Sequence, residues 1–189
     1  MCLFFAVTIP PEVTGGIVTE SKKISAPSLC WVAPDNLHFT LRFLGETDKG
    51  RVAELISAGQ ETAEKHHSFL LAIAGAGFFP DEERPRIFWA GVGEGEKKII
   101  FLANNLSATL NKIGFLPEER PFLPHLTVAR IKVGAGFGSI PYQKLESWKT
   151  RNFNFFSVNE FYLMESLLLS TGVVYKKVHS FSLEVLDGK

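Results

Sequence analysis

The 189-residue sequence predicts an α+β protein of mainly antiparallel sheet. Two observations carry this expectation. Strand-like and helix-like runs alternate in the first two thirds of the chain, but the chain closes on two long β-rich runs, 155–169 and 173–185, joined as a hairpin at Ser170-Thr171-Gly172. Within the alternating part, LHFTLRFLGE (37–46) and PHLTVARIKVG (124–134) repeat one pattern, His-x-Thr inside an apolar strand. That repeat predicts two related lobes with one motif each. No linker, low-complexity tract or long charge run divides the chain, so residues 1–189 are expected to form a single domain.

Taken in order, CLFFAVTI (2–9) reads as a buried strand, stopped by Pro10 and Pro11. A helix is expected over 11–25, then an extended segment around Trp31 and a turn at Pro34-Asp35-Asn36. LHFTLRFL (37–44) alternates strictly. Leu37, Phe39, Leu41 and Phe43 should share one face, and His38, Thr40 and Arg42 the other. Val52, Leu55, Ile56 and Gly59 have helical spacing within 49–65. FLLAIAGAGFF (69–79) and RIFWAGV (86–92) are strand-like runs around the charged turn PDEERP. Over 96–113, Ile99, Leu102, Ala103, Leu106, Leu110 and Ile113 form an apolar stripe that stops at Gly114. PHLTVARI (124–131) is another strand. Ser139 and Pro141 suit the cap and first turn of a short helix reaching about Lys149.

Composition narrows the functional classes. The chain is 46% hydrophobic and 21% charged, ordinary for a soluble globular protein, and its 17 Phe suggest a core of aromatic strands. Twenty Lys and Arg balance twenty Asp and Glu. Proteins that hold long nucleic acid carry a basic surplus, so an RNA substrate would be held over a small footprint such as a terminus. Cys2 and Cys30 are read as two buried thiols in a reducing compartment. No run approaches the ~18 apolar residues of a membrane span, and MCLFFAVTIPP lacks the basic start and cleavage site of a signal peptide. The expected location is the cytoplasm, without membrane or obligate protein partner.

The chemistry lies in the repeat. Positions i and i+2 of a strand point to one side, so His38 with Thr40, and His125 with Thr127, each present an imidazole beside a hydroxyl. With pKa values near ~6.5, one imidazole can accept a proton from a nucleophile while the other protonates a leaving oxygen. Hydroxyls can donate to the non-bridging oxygens of a phosphate as charge develops. This set needs no metal or other cofactor. A single His-x-Thr would more often be a core or surface histidine; two copies in equivalent strands point to a shared site.

Two His-x-Thr-x motifs half a small chain apart resemble the 2H phosphoesterase superfamily. The flanking segments LFFAVTIPPEV, WVAPDNLHFTLRFLGET, FPDEERPRIFWAGV, RPFLPHLTVARI and FYLMESLLLSTGVVYKKVHSFSL are similar, in order and over nearly the whole chain, to the bacterial and archaeal RNA 2′,3′-cyclic phosphodiesterases, also known as 2′-5′ RNA ligases. The resemblance implies a bilobal α+β fold with a central cleft. It also implies opening of terminal 2′,3′-cyclic phosphates on RNA ends, or of nucleoside 2′,3′-cyclic phosphates, to 2′-phosphomonoesters. By the same resemblance His38 would protonate the departing 3′ oxygen and His125 would activate water. Arg130 falls where the family tends to have arginine, and a guanidinium suits a phosphate. Strict alternation turns it away from His125, so a bulge or a strand end is required.

Three rival readings fit the sequence less well. Ligation through a 2′-5′ linkage is the reverse chemistry, but water is the abundant nucleophile and no nucleotide-activating motif accompanies the repeat. A non-catalytic RNA-end binder would need donors but not two titrating groups. A metallohydrolase would need better ligands than Thr. Among other residues, Trp31 and Phe79 could stack on a base but suit core packing, Arg42 could be a solvated charge, and His66, His67 and His179 are read as structural.

Overall fold

The computed structural model describes residues 1–24, 26–132, 134, 139–170 and 172–185. The expected end of the first helix at Ser25, and Thr171 of the hairpin turn, fall outside them. In chain order the main elements are β1 (Cys2–Thr8), α1 (Pro11–Lys22), β2 (Leu29–Trp31), β3 (His38–Glu46), α2 (Val52–Ala63), β4 (Phe69–Phe79) and β5 (Ile87–Val92). There follow α3 (Glu96–Lys112), β6 (Leu126–Ile131), α4 (Tyr142–Glu146), β7 (Asn152–Val158), β8 (Glu160–Leu169) and β9 (Gly172–Ser182). This is the expected α+β architecture.

The strands form one sheet in the order β7-β4-β5-β6-β3-β1-β8-β9, with β2 alongside β6. Every pairing between these strands is antiparallel. The sheet therefore divides into two four-stranded halves, β3-β1-β8-β9 and β6-β5-β4-β7, whose inner strands each carry one motif. The halves touch lightly: β3 and β6 share the single register pair Phe39–Leu126.

Local sequence explains most of the elements. β1 is apolar throughout because it is buried on both faces. Leu3, Phe5 and Val7 enter the main core, while Phe4 and Ala6 pack with Tyr162 and Met164 on the opposite face. Pro10 and Pro11 cap and begin α1, where a missing N–H costs nothing. The α3 stripe is buried at Ile99, Leu102, Ala103, Leu106 and Leu110, and Gly114 follows with φ 90°, a left-handed residue at the helix stop. The buried apolar side chains of α1, α2 and α3 all join the main core with Phe39 and Leu126. Fully burying side chains of this size contributes about 1.5–3 kcal/mol each. The two strands that carry the motifs are thus anchored by the residues between each His and Thr.

Four expectations are corrected. The run 155–169 is two strands: the chain turns at Asn159, so that β7 pairs with β4 at one sheet edge and β8 with β1 in the other half. Helix α4 begins after Pro141 rather than being capped by Ser139, and stops at Glu146. Cys30 is exposed and Cys2 is only half-buried. On β2, Leu29 is buried and Trp31 packs on the core, which leaves Cys30, between them, on the solvent side. The strict alternation of 37–44 also fails, with consequences for the site. No described helix is long and apolar enough to cross a membrane.

Candidate active site

The Phe39–Leu126 pair sets the geometry of the site. In an antiparallel register centred there, His38 lies opposite Thr127 and Thr40 opposite His125. The two motifs are related by a local twofold axis through that pair. The histidines become diagonal neighbours, with backbones about 7–8 Å apart. That spacing lets two imidazoles reach the two sides of one phosphate. A cavity of about 180 Å³ opens at this point, and His38, Thr40, His125, Thr127 and Arg130 all line it.

Each motif strand carries a β-bulge at the same place. Opposite β1, Phe5 faces Arg42 and Ala6 faces Thr40, leaving Leu41 as the extra residue. Opposite β5, Phe88 faces Ala129 and Trp89 faces Thr127, leaving Val128 as the extra residue. Both extra residues lie three positions after the histidine. A bulge lets two successive side chains turn to one side and re-aims the next. Accordingly Leu41 with Arg42, and Val128 with Ala129, are both buried pairs. The next residues, Phe43 and Arg130, return to the cavity face. The bulge is what brings Arg130 to the histidines. It also overturns two expectations: Phe43 is 57% exposed rather than core, and Arg42 leaves the His38 face. The buried Arg42 guanidinium donates to the Leu116 carbonyl and lies 3.7 Å from Glu118.

The backbone fixes both imidazoles in the same way. His38 Nδ1 lies 2.8 Å from the Asn36 carbonyl and His125 Nδ1 2.9 Å from the Leu123 carbonyl, two residues upstream in each case. A carbonyl only accepts, so Nδ1 carries the hydrogen and Nε2 is left for chemistry. The Thr40 hydroxyl lies 3.0 Å from His38 Nε2 and donates to it when the ring is neutral. His38 also sits in an aromatic notch, with ring centres 5.0 Å from Phe4 and 4.9 Å from Tyr175. Burial there holds its pKa below the ordinary 6.5; the Asn36 hydrogen bond opposes the shift, and the positive neighbours His125 and Arg130 add to it. An anion placed between the histidines would reverse those last effects.

The sequence did not single out Phe4, Val32, Asn36, Phe43, Ser166 and Tyr175 as site residues, yet they complete the wall. Asn36 has a double role, because its side chain also donates to the Val173 carbonyl of β9 at 2.9 Å. Trp31 packs on Trp148 and Phe88. Phe79 meets His125 edge-on at 4.9 Å. His66 bonds Asn105, His67 pairs with Glu184 and His179 packs on Phe181; none lines the cavity.

The family model for LigT-like phosphoesterases matches this chain twice, over residues 7–89 and 92–175, one match per motif. The chain belongs to the LigT-like phosphoesterase family. Among its relatives is a protein of Aquifex aeolicus named RNA 2′,3′-cyclic phosphodiesterase, 36% identical over 154 residues and 81% of each chain. A protein of Archaeoglobus fulgidus with the same name is 32% identical over 96% of this chain and 99% of its own. Solved structures agree. A Thermus thermophilus protein superposes with a TM-score of 0.82 over 98% of this chain and 99% of its own, at 29% identity. LigT of E. coli in complex with 3′-AMP gives 0.79 over 96% and 97%, again at 29%. These matches support the bilobal reading of the sheet, with the cleft where the two halves of this LigT-like phosphoesterase meet.

Proposed function

We propose that this chain hydrolyses 2′,3′-cyclic phosphates at RNA ends to 2′-phosphomonoesters, with its two histidines moving the protons and no metal ion taking part. The observation that carries the reading is the twofold pairing of the His-x-Thr motifs about Phe39–Leu126, around one small cavity. Family membership and the relatives' shared name support the substrate class. In this reading water attacks phosphorus opposite the 3′ oxygen, and its proton passes to His125 Nε2. The P–O3′ bond breaks, and His38 Nε2–H gives its proton to the departing oxygen. Each transfer contributes about 10²–10⁴-fold. Thr40, released from His38 Nε2, and Thr127 donate to non-bridging oxygens, and Arg130 neutralises the charge that grows there. Burial lowers the pKa of His38 in the free protein and the phosphate anion raises it on binding, so the donor takes up its proton as substrate arrives. The chain works as one domain of two related lobes, each supplying half of the site.

Incubation of EDTA-treated protein with adenosine 2′,3′-cyclic phosphate tests this directly. The expected product is 2′-AMP at an undiminished rate. A 3′-AMP product would reverse the assignment of the leaving oxygen, and loss of turnover on chelation would overturn the metal-free mechanism.

A further inference from the structure

The cavity around the histidines is too small for a nucleotide. At about 180 Å³ it takes a cyclic phosphate and part of a ribose, so the remainder of any RNA end must leave it. A second groove of about 800 Å³ begins where the first ends, sharing Thr40, Phe43 and His125 with it. Its wall is apolar and aromatic, from Phe79, Phe122 and Leu123, and the last is 47% exposed. Two exposed arginines, Arg86 and Arg120, stand on its rim, and neither guanidinium is in an ion pair among the described residues. Glu118 also lines the groove, but the buried Arg42 lies beside it at 3.7 Å. The groove therefore carries a local cationic surplus on a chain whose net charge is zero.

Resting on the function proposed above, we infer that this groove is a subsite for the nucleotide that precedes the cyclic end, with Arg86 and Arg120 holding the phosphodiester that joins it to the terminal nucleotide. Guanidiniums match phosphate oxygens in charge and geometry. Apolar and aromatic walls accept a base face without reading its sequence. The same layout explains how a neutral protein selects polynucleotide ends. Two of its exposed arginines line a groove that adjoins the cavity of the histidines, where the strand must leave it.

The test compares kcat/KM for a mononucleoside 2′,3′-cyclic phosphate with that for a dinucleotide ending in the same group. The wild-type protein should favour the dinucleotide by about tenfold or more, the worth of one charge-assisted contact. The Arg86→Ala/Arg120→Ala variant should lose that preference, and the Lys pair at these positions should regain part of it. Replacing the internucleotide phosphate by a neutral methylphosphonate should erase the preference in the wild type and have no further effect in the Ala variant. Equal turnover of both substrates by the wild type, or a preference that persists in the Ala variant, would overturn the subsite. Failure to hydrolyse either substrate would instead overturn the functional reading beneath it.

Discussion

The two motif strands share a backbone but not a chemistry. Both tie the histidine Nδ1 to a carbonyl two residues upstream, and both bulge three residues downstream. Both then turn the fifth residue after the histidine into the cavity. In β3 that residue is Phe43, and in β6 it is Arg130. The residue before it is buried in each strand, as Arg42 in one and Ala129 in the other. The duplicated geometry sets two imidazoles about one cavity, while the unequal fifth positions give one side a cation and the other a flat apolar surface. The histidines differ in the same sense: Phe4 and Tyr175 flank His38, and among the described residues Phe79 meets His125 edge-on. In the proposed mechanism the symmetry would hold the phosphate in place, and its breaking would separate donor from acceptor and phosphate from nucleoside.

Substitutions can break that comparison, and the histidines should cost most. His38→Ala and His125→Ala should each lower turnover of a cyclic phosphate by about 10²-fold or more, roughly 3 kcal/mol of barrier. Steady-state rates of the two variants check this; a histidine whose loss costs less than tenfold is not a proton carrier. The fifth positions come next. Arg130→Ala should slow turnover by about 30- to 100-fold, because a charge-assisted contact worth roughly 2–3 kcal/mol is lost. Phe43→Ala should cost about tenfold and appear mainly in KM. Equal effects at the two positions, on the same parameter, would mean that the lobes are not specialised. Thr40→Val and Thr127→Val should each cost about tenfold, one hydrogen bond among several.

The notch around His38 makes a smaller, pH-dependent prediction. Burial holds the His38 pKa below 6.5, so an NMR titration of the free protein should place its midpoint below that value. Tyr175→Ala, which rehydrates the ring, should move the midpoint up. A bound nucleotide 2′-monophosphate should also move it up, because the anion favours the imidazolium. A midpoint at or above 6.5 in the free protein, unmoved by either change, would refute the notch. The sign carries over to stability. A histidine whose folded pKa is depressed favours folding above its unfolded value, and that contribution is lost as pH falls through the folded pKa. His38 and His66 are both lowered by burial, so thermal stability should decline below about pH 6.5. The smallest effect is that of salt. An inactive His125 variant should bind RNA with a log–log salt slope near −1 to −3, about −0.7 for each of a few phosphates, and nearly independent of RNA length.

The histidines and threonines were legible because a strand places i and i+2 together and the repeat displayed that pairing twice. Leu37, Phe39 and Leu41 were legible as one buried face for the same reason. The bulges were not, because a single extra residue leaves no mark in a run such as LHFTLRFL, where apolar residues continue on both sides of it. Strict alternation therefore fails beyond Leu41, and Phe43 and Arg42 exchange faces. Aligning the two repeats by their histidines would have helped, since Arg130 then falls opposite Phe43. Phe4 and Tyr175 could not have been found locally. They come from β1 and β9, and only the pairing of distant strands brings them to His38. Asn36 read as turn chemistry, and so it is; its second role depends on Val173, 137 positions away.

The central claim, that His38 and His125 act together on one phosphate, is tested most directly by a double-mutant cycle on cyclic-phosphate hydrolysis. Groups that act as a unit are strongly non-additive. The account predicts that the His38→Ala/His125→Ala protein is within a few fold of the slower single variant, with residual turnover coming from Thr40, Thr127 and Arg130. Losses that multiply through the double variant would show that the two histidines work independently, and wild-type-like turnover in it would place the chemistry elsewhere.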